Sequence, residues 1–384
     1  MRRVETVVVG GGPAGAAVAS GLAAAGREAV LLERTGAPHH KVCGEFLSIE
    51  TRAHLLQLGV DAAALGAAPV EQVTIHSSTR SVSTVLPFRG LSLSRYRLDA
   101  ALLDAARQSG ADVRCGVAAR SVAPTGDAWT VQCDDGETLH CRRLVLATGK
   151  TGLRGIADAR EGAMVGLKTH LRPSGDVRHA LEGRVELFFI DRGYIGLELV
   201  EDGIANLCFL LPRETVARLG GGWEALRDHL TAAMPPLAGR LDGAVQLWDK
   251  PLAVVCPAGG YVHRTEGAAA YRVGDRLAHI PPFTGDGLAI ALTTAALAVG
   301  HILAGRPPGA YEAAARRVTG TAVRLAGIMS ALAGTRSGRA VLIRVAGWAP
   351  NLIGNIARRT RMPLATQGFC PESAARLANA GSRR

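Results

Sequence analysis

The apolar positions of the chain come in two kinds of run, and the change from one to the other divides it. Near the start, Val7 to Val9 is an unbroken apolar run of the kind that a strand buried on both faces of a parallel sheet requires. Three glycines and a proline follow, then a stretch of alanine, valine and leucine that predicts a helix from Pro13, stopped near Gly26. A second apolar strand ends at Glu33. Farther on, "RLDAALLDAARQS" (97–109) repeats its apolar residues at helical spacing, and "CRRLVLATG" (141–149) reads as a strand running into a glycine turn.

After Thr151 the period shortens. "RVELFFI" and "GYIGLELVEDGIANLCFLL" predict antiparallel strands, the second a hairpin turning at Asp202-Gly203, and "AVQLWDKPLAVVC" continues that sheet. The chain then returns through "AAYRVGD" to "HIPPFTGDGLAIAL" (279–292), where two prolines and a glycine turn lead into a small, apolar helix. From about Gly309 the pattern is helical throughout, with Pro350 breaking the last long segment.

The expected fold is therefore α/β: a Rossmann-type dinucleotide domain from 1–150 and 257–308, an inserted antiparallel sheet at 151–256 to which part of 60–95 contributes, and a basic helical region at 309–384. A length of 384 residues with 48% hydrophobic residues suits such a two-domain core. No internal repeat or low-complexity tract is evident. Seven cysteines with no CxxC pair suggest neither a disulfide framework nor a metal site, which fits a reducing, cytoplasmic setting. The glycines and proline inside the first 26 residues argue against a secretory signal, and no run is long enough to span a membrane.

Charge changes the picture at one end. Of the 44 basic residues four are lysines (Lys41, Lys150, Lys168, Lys250), a bias that matches the alanine-rich composition. Beyond Glu312 twelve arginines face one acid, Glu372, so twelve minus one accounts for the whole formal charge of +11. Within that region 339–361 places Val341, Leu342, Val345, Leu352, Ile353 and Ile356 on a rough stripe between arginines. Core packing is the ordinary use of such a stripe. A lid over an oily pocket, a membrane-surface contact or a dock for an acidic carrier protein are the others. Nucleic acid is not expected, because the aromatic interleaving of single-strand binders is missing.

The chemistry is concentrated in a few motifs. Gly10, Gly12 and Gly15, with Pro13 and Ala14 between them, form G-x-G-x-x-G directly after a strand and at a helix start. The first glycine allows the turn, the second lets a diphosphate approach the backbone, and the third lets helix and strand pack closely. Glu33, with Arg34 beside it, ends the next strand where a carboxylate accepts hydrogen bonds from a ribose and leaves no room for a 2′-phosphate. FAD or NAD is expected there rather than NADP.

Three downstream segments decide between them by resemblance. "RVGDRLAHIPPFTGDGLAIAL" resembles the second FAD fingerprint of the flavoproteins that include geranylgeranyl reductases and aromatic-ring hydroxylases, with Gly274, Asp275, Pro282, Gly285 and Gly287 in register and Asp286 between the last two glycines as a further candidate cofactor contact. "HHKVCGEFLS", with Lys41, Cys43 and Gly44, resembles the K-x-C-G segment of the reductase branch. "SRYRLDAAL" resembles its helix start, with Arg95 and Asp99. The matches frame most of residues 4–300. The resemblance implies FAD as cofactor, with Asp275 on the ribityl chain and Pro282 to Gly287 aiming a helix N-terminus at the electron-rich edge of the flavin.

The resemblance also implies that Cys43 and Glu45 lie beside the ring, Cys43 as a buried small residue or a reactive one, Glu45 as a general acid or base or an arginine partner. His39, His40 and His279 are candidate proton carriers. Phe188, Tyr194, Leu197 and Phe209 are candidate walls of an apolar substrate pocket. Gly149-Lys150 stands where aromatic hydroxylases carry Asp-Gly, and there is no second G-x-G-x-x-G, so the electron donor is open: transient NADH or NADPH, a partner reductase, or the substrate itself.

Two activities compete. One is a monooxygenase acting on an aromatic or polyketide-like compound of bacterial secondary metabolism; the other reduces an isoprenoid double bond. Tyr194 is kept from the archaeal reductases' Tyr-x-Trp-x-Phe-Pro-Lys stretch, but its Trp and Pro-Lys are absent, which favours oxidation. Halogenation is disfavoured, since no lysine occurs between Lys41 and Lys150 and the tryptophans form no W-x-W-x-I-P. A flavin-binding relic without turnover is the remaining class.

Overall fold

The structure, a computed structural model, describes residues 2–348 except 79, 157–161, 258–259 and 265–268, and after them 361–362 and 369; nothing is said of the side chain of residue 346. Cys370 and the apolar positions Leu352, Ile353 and Ile356 lie outside the described residues, as does Pro350.

The first sheet follows from the glycine-punctuated apolar strands. Arg2–Val9 lies at its centre, parallel to Ala29–Glu33 on one side and to Thr138–Leu146 on the other; Asp112–Cys115 extends the first edge, and Tyr271–Arg272 also pairs with Thr138–Leu146. Ala128–Cys133 and Ala119–Thr125 turn back antiparallel, which the apolar pattern did not reveal because both strands are half polar. The helices Pro13–Ala24 and Gly287–Leu303 pack against each other over this sheet. Both are alanine-rich because each is enclosed on most sides: from Leu288 to Ala296 every residue of the second is buried.

The second sheet has nine strands and carries the predicted hairpin, Gly193–Leu199 with Ala205–Pro212, at its centre. Met164–Arg172 and Gly183–Ile190 flank that hairpin. Ala68–His76 and Ser81–Ser92, from the stretch 60–95, belong to this sheet. Two features depart from the expected antiparallel insert. Ala68–His76 pairs with Gly183–Ile190 in parallel. The helices Gly175–Leu181, Arg213–Leu219, Trp223–Ala233 and Pro235–Leu241, which the strand-like reading of 151–256 did not anticipate, are packed on one face of the sheet. Strand alternation then sends Phe188, Ile195, Leu197, Leu207 and Phe209 into the core beneath the helices and leaves the opposite face for the site.

The C-terminal region supplies Pro308–Ala333 and Arg336–Trp348. In the second of these Ile343 is the buried residue, while Val341, Val345 and Trp348 are exposed, so the expected stripe is not core packing over the part that is described. The six described cysteines are free, and no described helix is long and apolar enough to cross a membrane.

Candidate functional site

The two sheets meet over an elongated cavity of about 660 Å³. The glycine turn enters it from one side, with Gly10, Gly12, Pro13 and Ala14 on its wall. Gly10 sits at φ +107°, and a Cβ there would lie 2.5 Å from the Ala147 carbonyl oxygen. At Gly15, outside the cavity, a Cβ would lie 1.9 Å from the Gly10 carbonyl oxygen, so this glycine serves helix–strand packing. A Cβ on Gly12 would meet nothing nearer than the Arg95 Nη2 at 3.8 Å. Gly12 therefore faces open space, and its helix has neither a side-chain cap nor an acid in the first turn. An uncapped helix N-terminus opening into a cavity is what a diphosphate occupies.

Glu33 lies on the same wall, its Oε2 accepting the Gly11 amide proton at 2.7 Å and its Oε1 accepting from Thr35. The carboxylate thus braces the glycine turn as well as facing the cavity, beside Arg34. Lys41 and Arg95 both reach the buried Asp99, Lys41 at 2.9 Å and Arg95 through two bonds of 2.7 and 2.8 Å. Two cations sharing one carboxylate keep this stretch positive toward the cavity.

The second fingerprint closes the other end. Gly149, Gly274, Asp275, His279, Pro282, Gly285 and Gly287 line the cavity. Asp275 is paired with Lys150 at 2.8 Å, and the His279 Nδ1 stands 3.9 Å from its other oxygen. Gly285 takes φ +71°, where a Cβ would press within 2.7 Å of the Phe46 ring. Asp286 differs from its expected role: the side chain is fully buried, lies outside the cavity and meets Arg361 at 2.6 Å.

The 39–45 loop forms the third wall. His39, His40, Lys41, Cys43, Gly44 and Glu45 all line it. Glu45 is fully buried with φ 62°, a left-handed conformation that costs a non-glycine residue about 1–3 kcal/mol. Its contacts hold it there. Oε1 accepts the Arg95 amide proton at 2.6 Å and bonds to the Lys168 ammonium, Oε2 meets His170 Nε2 at 3.0 Å, and its carbonyl accepts the Leu93 amide proton at 3.1 Å. Burial pushes the carboxyl up, but the charge of Lys168 and the bond to His170 overcome it and hold it below the usual carboxylate range.

Lys168, His170 and Trp248 were not legible as site residues. Gly166, Lys168 and His170 alternate along Met164–Arg172, which places two polar groups on the inward face of an apolar strand. The rings of His40, His170 and Trp248 lie within 4.8 Å of one another. Burial, with the charges of His170 and Lys168 behind it, lowers the His40 imidazole to about 4. His40, Glu45 and His170 also bring ligand-type atoms within 4.8 Å of one another, but Lys168 already supplies the cation for Glu45.

A second cavity, of about 240 Å³, lies on the exposed face of the hairpin sheet. Its walls are Val73 and Ile75, Val185, Leu187 and Phe189, and the tips of the C-terminal helices at Met329, Ala333, Leu342 and Val345. Phe283 closes it edge-on to Phe189 (5.6 Å, 75°) and Tyr194 (6.0 Å, 70°). Of the four expected wall residues Tyr194 lines this pocket. Phe188 and Leu197 point the other way, because strand period 2 puts Tyr194, Gly196 and Glu198 on one face and their neighbours on the opposite one, and Phe209, in the same core cluster, lines the cofactor cavity instead. Gly44, Phe46, Tyr194, Cys208, Pro282 and Gly285 line both cavities.

Comparison with known proteins agrees with this arrangement. Residues 3–164 match the FAD binding domain family. The chain is 25% identical over 327 residues to a menaquinone reductase of Mycolicibacterium smegmatis, covering 77% of this chain and 75% of that protein. It is 27% identical over 321 residues to a menaquinone reductase of Mycobacterium tuberculosis, with the same coverage. In fold it is similar to the flavin-dependent brominase Bmp2 (TM-score 0.79, 17% identity, 99% of this chain and 98% of that one). It is also similar to Pseudomonas aeruginosa PqsL in complex with 2-aminobenzoylacetate (TM-score 0.71, 16% identity, 89% of this chain and 100% of that one).

Proposed function

We propose that the chain, an FAD-dependent oxidoreductase whose residues 3–164 match the FAD binding domain family, is a monooxygenase that hydroxylates a flat, apolar aromatic or polyketide-like compound. The observation that carries this reading is the wall of six residues common to the cofactor cavity and the apolar pocket. When bound, FAD supplies two-electron chemistry and, once reduced, reaction with O₂. One oxygen atom enters the ring and the other leaves as water, with a reduced nicotinamide as electron source.

The chain's own residues account for the rest. The glycine turn and the uncapped helix at Gly12 would hold the diphosphate, Glu33 the ribose and Asp275 the ribityl chain. Gly285 lets the backbone come close where a side chain would strike Phe46. Phe189, Phe283 and Tyr194 exclude water from the junction.

A second reading, reduction of a double bond in a prenylated quinone-like compound, is favoured by the names of the curated relatives. The basic C-terminal helices belong with either reading. They form one side of the apolar pocket and expose Ile328, Val341 and Trp348 among arginines, and we take this face to dock on an anionic lipid surface.

The deciding experiment reduces the FAD-loaded protein anaerobically with NADH or NADPH and then divides it. One half receives ¹⁸O₂ with an aromatic substrate, the other a prenylated quinone without oxygen. An ¹⁸O-labelled product supports hydroxylation. A reduced prenyl product with no label transfers the assignment to the second reading.

A further inference from the structure

Besides Thr284 and Arg361, the apolar pocket carries a pair of buried polar side chains. Glu198 and Asn206 are cross-strand partners in the central hairpin, and both side chains line the pocket among Val185, Leu187 and Phe189. They are 3% and 1% exposed. Asn206 Nδ2 donates to the Cys43 carbonyl at 3.2 Å, which fixes the amide so that Oδ1 is the atom left without a donor. Ser92 and Asn206 hydrogen-bond the Glu198 carboxyl, but among the described residues nothing reaches Asn206 Oδ1 or Glu198 Oε2. Two such atoms buried together are costly, and an apolar pair would fit this wall at no such penalty. Their retention is explained by a ligand that satisfies both.

The chemistry of the two orphaned atoms narrows that ligand. Burial, with the negative charge of Glu45 close by, pushes the Glu198 carboxyl well above the usual carboxylate range; Ser92, Lys168 and Asn206 oppose that shift without reversing it. The shift favours the acid form, which donates, while Asn206 Oδ1 accepts. A carbonyl or an ether oxygen can answer the first and not the second. A hydroxyl answers both.

We infer that Glu198 and Asn206 form a polar clamp that receives a phenolic or enolic hydroxyl, so that the substrate is a flat apolar molecule carrying such a group at the end buried beside the Cys43–Gly44 loop. This rests on the reading of the apolar pocket as the substrate site. Asn206 holds the loop through Cys43, so the clamp places the hydroxyl-bearing ring against the wall that the two cavities share. Specificity by such a pair is sharp, because an analogue without the hydroxyl leaves both buried groups unpaired.

The test titrates FAD-loaded protein with 1-naphthol, 1-methoxynaphthalene, 1,4-naphthoquinone and naphthalene, following perturbation of the flavin spectrum. Wild-type protein is expected to bind 1-naphthol at least about tenfold more tightly than the other three. In Asn206→Leu and Glu198→Leu that preference is expected to disappear while naphthalene binding is kept or improved, and Glu198→Gln, which donates but does not ionise, is expected to retain it. Equal affinities for all four compounds in the wild type overturn the clamp, since Glu198 then donates to Asn206 and the corner is closed on itself. Preference that survives in both leucine variants also overturns it. If none of the four binds, the pocket is not the substrate site, and the underlying reading fails instead.

Discussion

Lys168 and Glu45 form an ion pair in which neither side chain is exposed to solvent. The pair joins the second sheet to the loop that lines the cofactor cavity, and it secures Glu45 in a left-handed conformation. Buried pairs of this kind contribute little net stability against an apolar replacement, yet breaking one from a single side is expensive. Lys168→Met is therefore expected to cost about 3–5 kcal/mol in urea unfolding. The double variant Lys168→Met/Glu45→Gln is expected to recover a substantial part of that loss. A double variant no more stable than Lys168→Met would show that the carboxylate charge is not what the lysine neutralises.

The glycine turn separates packing from cofactor contact. A Cβ at Gly15 would lie 1.9 Å from a backbone oxygen, and no flexible side chain can yield there. Gly15→Ala is expected to lower stability whether or not FAD is present. At Gly12 the nearest atom is the end of Arg95 at 3.8 Å, so Gly12→Ala is expected to leave the melting temperature of the apoprotein unchanged. It should nonetheless reduce bound flavin at least about tenfold, because the added methyl enters the space where a diphosphate meets the backbone. Flavin content per protein and thermal unfolding of the apo form measure the two effects separately.

The parts of this site that were legible in the sequence are the ones fixed by backbone geometry. Gly10 and Gly15 announce their turn because a Cβ at either would strike backbone, and Gly274 and Gly285, both at positive φ, do the same for the second fingerprint. The hairpin at Asp202-Gly203 was readable for the same reason, with both residues at positive φ. Lys168, His170, Glu198 and Asn206 were not. Each sits singly in an apolar strand, where a polar residue ordinarily marks the solvent side, and here a second cavity lies on that side. Whether Phe188 and Leu197 were pocket wall or sheet core was left open by the same ambiguity: period 2 says which residues share a face and leaves open which face is the pocket. Asp286 lies inside the fingerprint and was a candidate cofactor contact, yet its carboxylate turns to Arg361, a partner far away in sequence.

A raised carboxyl pKa gives the fold an alkaline weakness. Burial favours the neutral form of Glu198 in the folded protein, where Glu45, Lys168, Ser92 and Asn206 face it, with Tyr194 and Cys208 on the same pocket wall. Its folded pKa lies above the ordinary 4.5 of the unfolded chain. The stabilisation this provides is fully present below that ordinary value and is lost as pH rises through the raised one. Glu198→Gln keeps the shape and cannot ionise, so its stability relative to wild type should climb as the pH rises above the ordinary carboxylate value of 4.5. Parallel stability curves for the two proteins over that range would mean that Glu198 is ionised in the fold.

The C-terminal helices make a prediction about where the protein works. Trp348 is 93% exposed, and Ile328, Leu332, Val341 and Val345 are exposed on the same pair of helices, whose inner residues line the apolar pocket. Arg324, Arg336 and Arg344 belong to these helices, and the region beyond Glu312 carries the whole excess of positive charge. Apolar side chains ringed by arginine are suited to the boundary between headgroups and acyl chains, where each arginine near an anionic surface contributes about 1 kcal/mol. Sedimentation with phosphatidylglycerol–phosphatidylcholine vesicles should capture the protein, and phosphatidylcholine vesicles should capture much less. Raising the salt should release it, and Trp348→Ser should weaken capture while leaving flavin content untouched. Capture that is equal on both lipids and indifferent to salt would remove the electrostatic part of the argument. No capture on either would leave the exposed apolar residues to a protein partner.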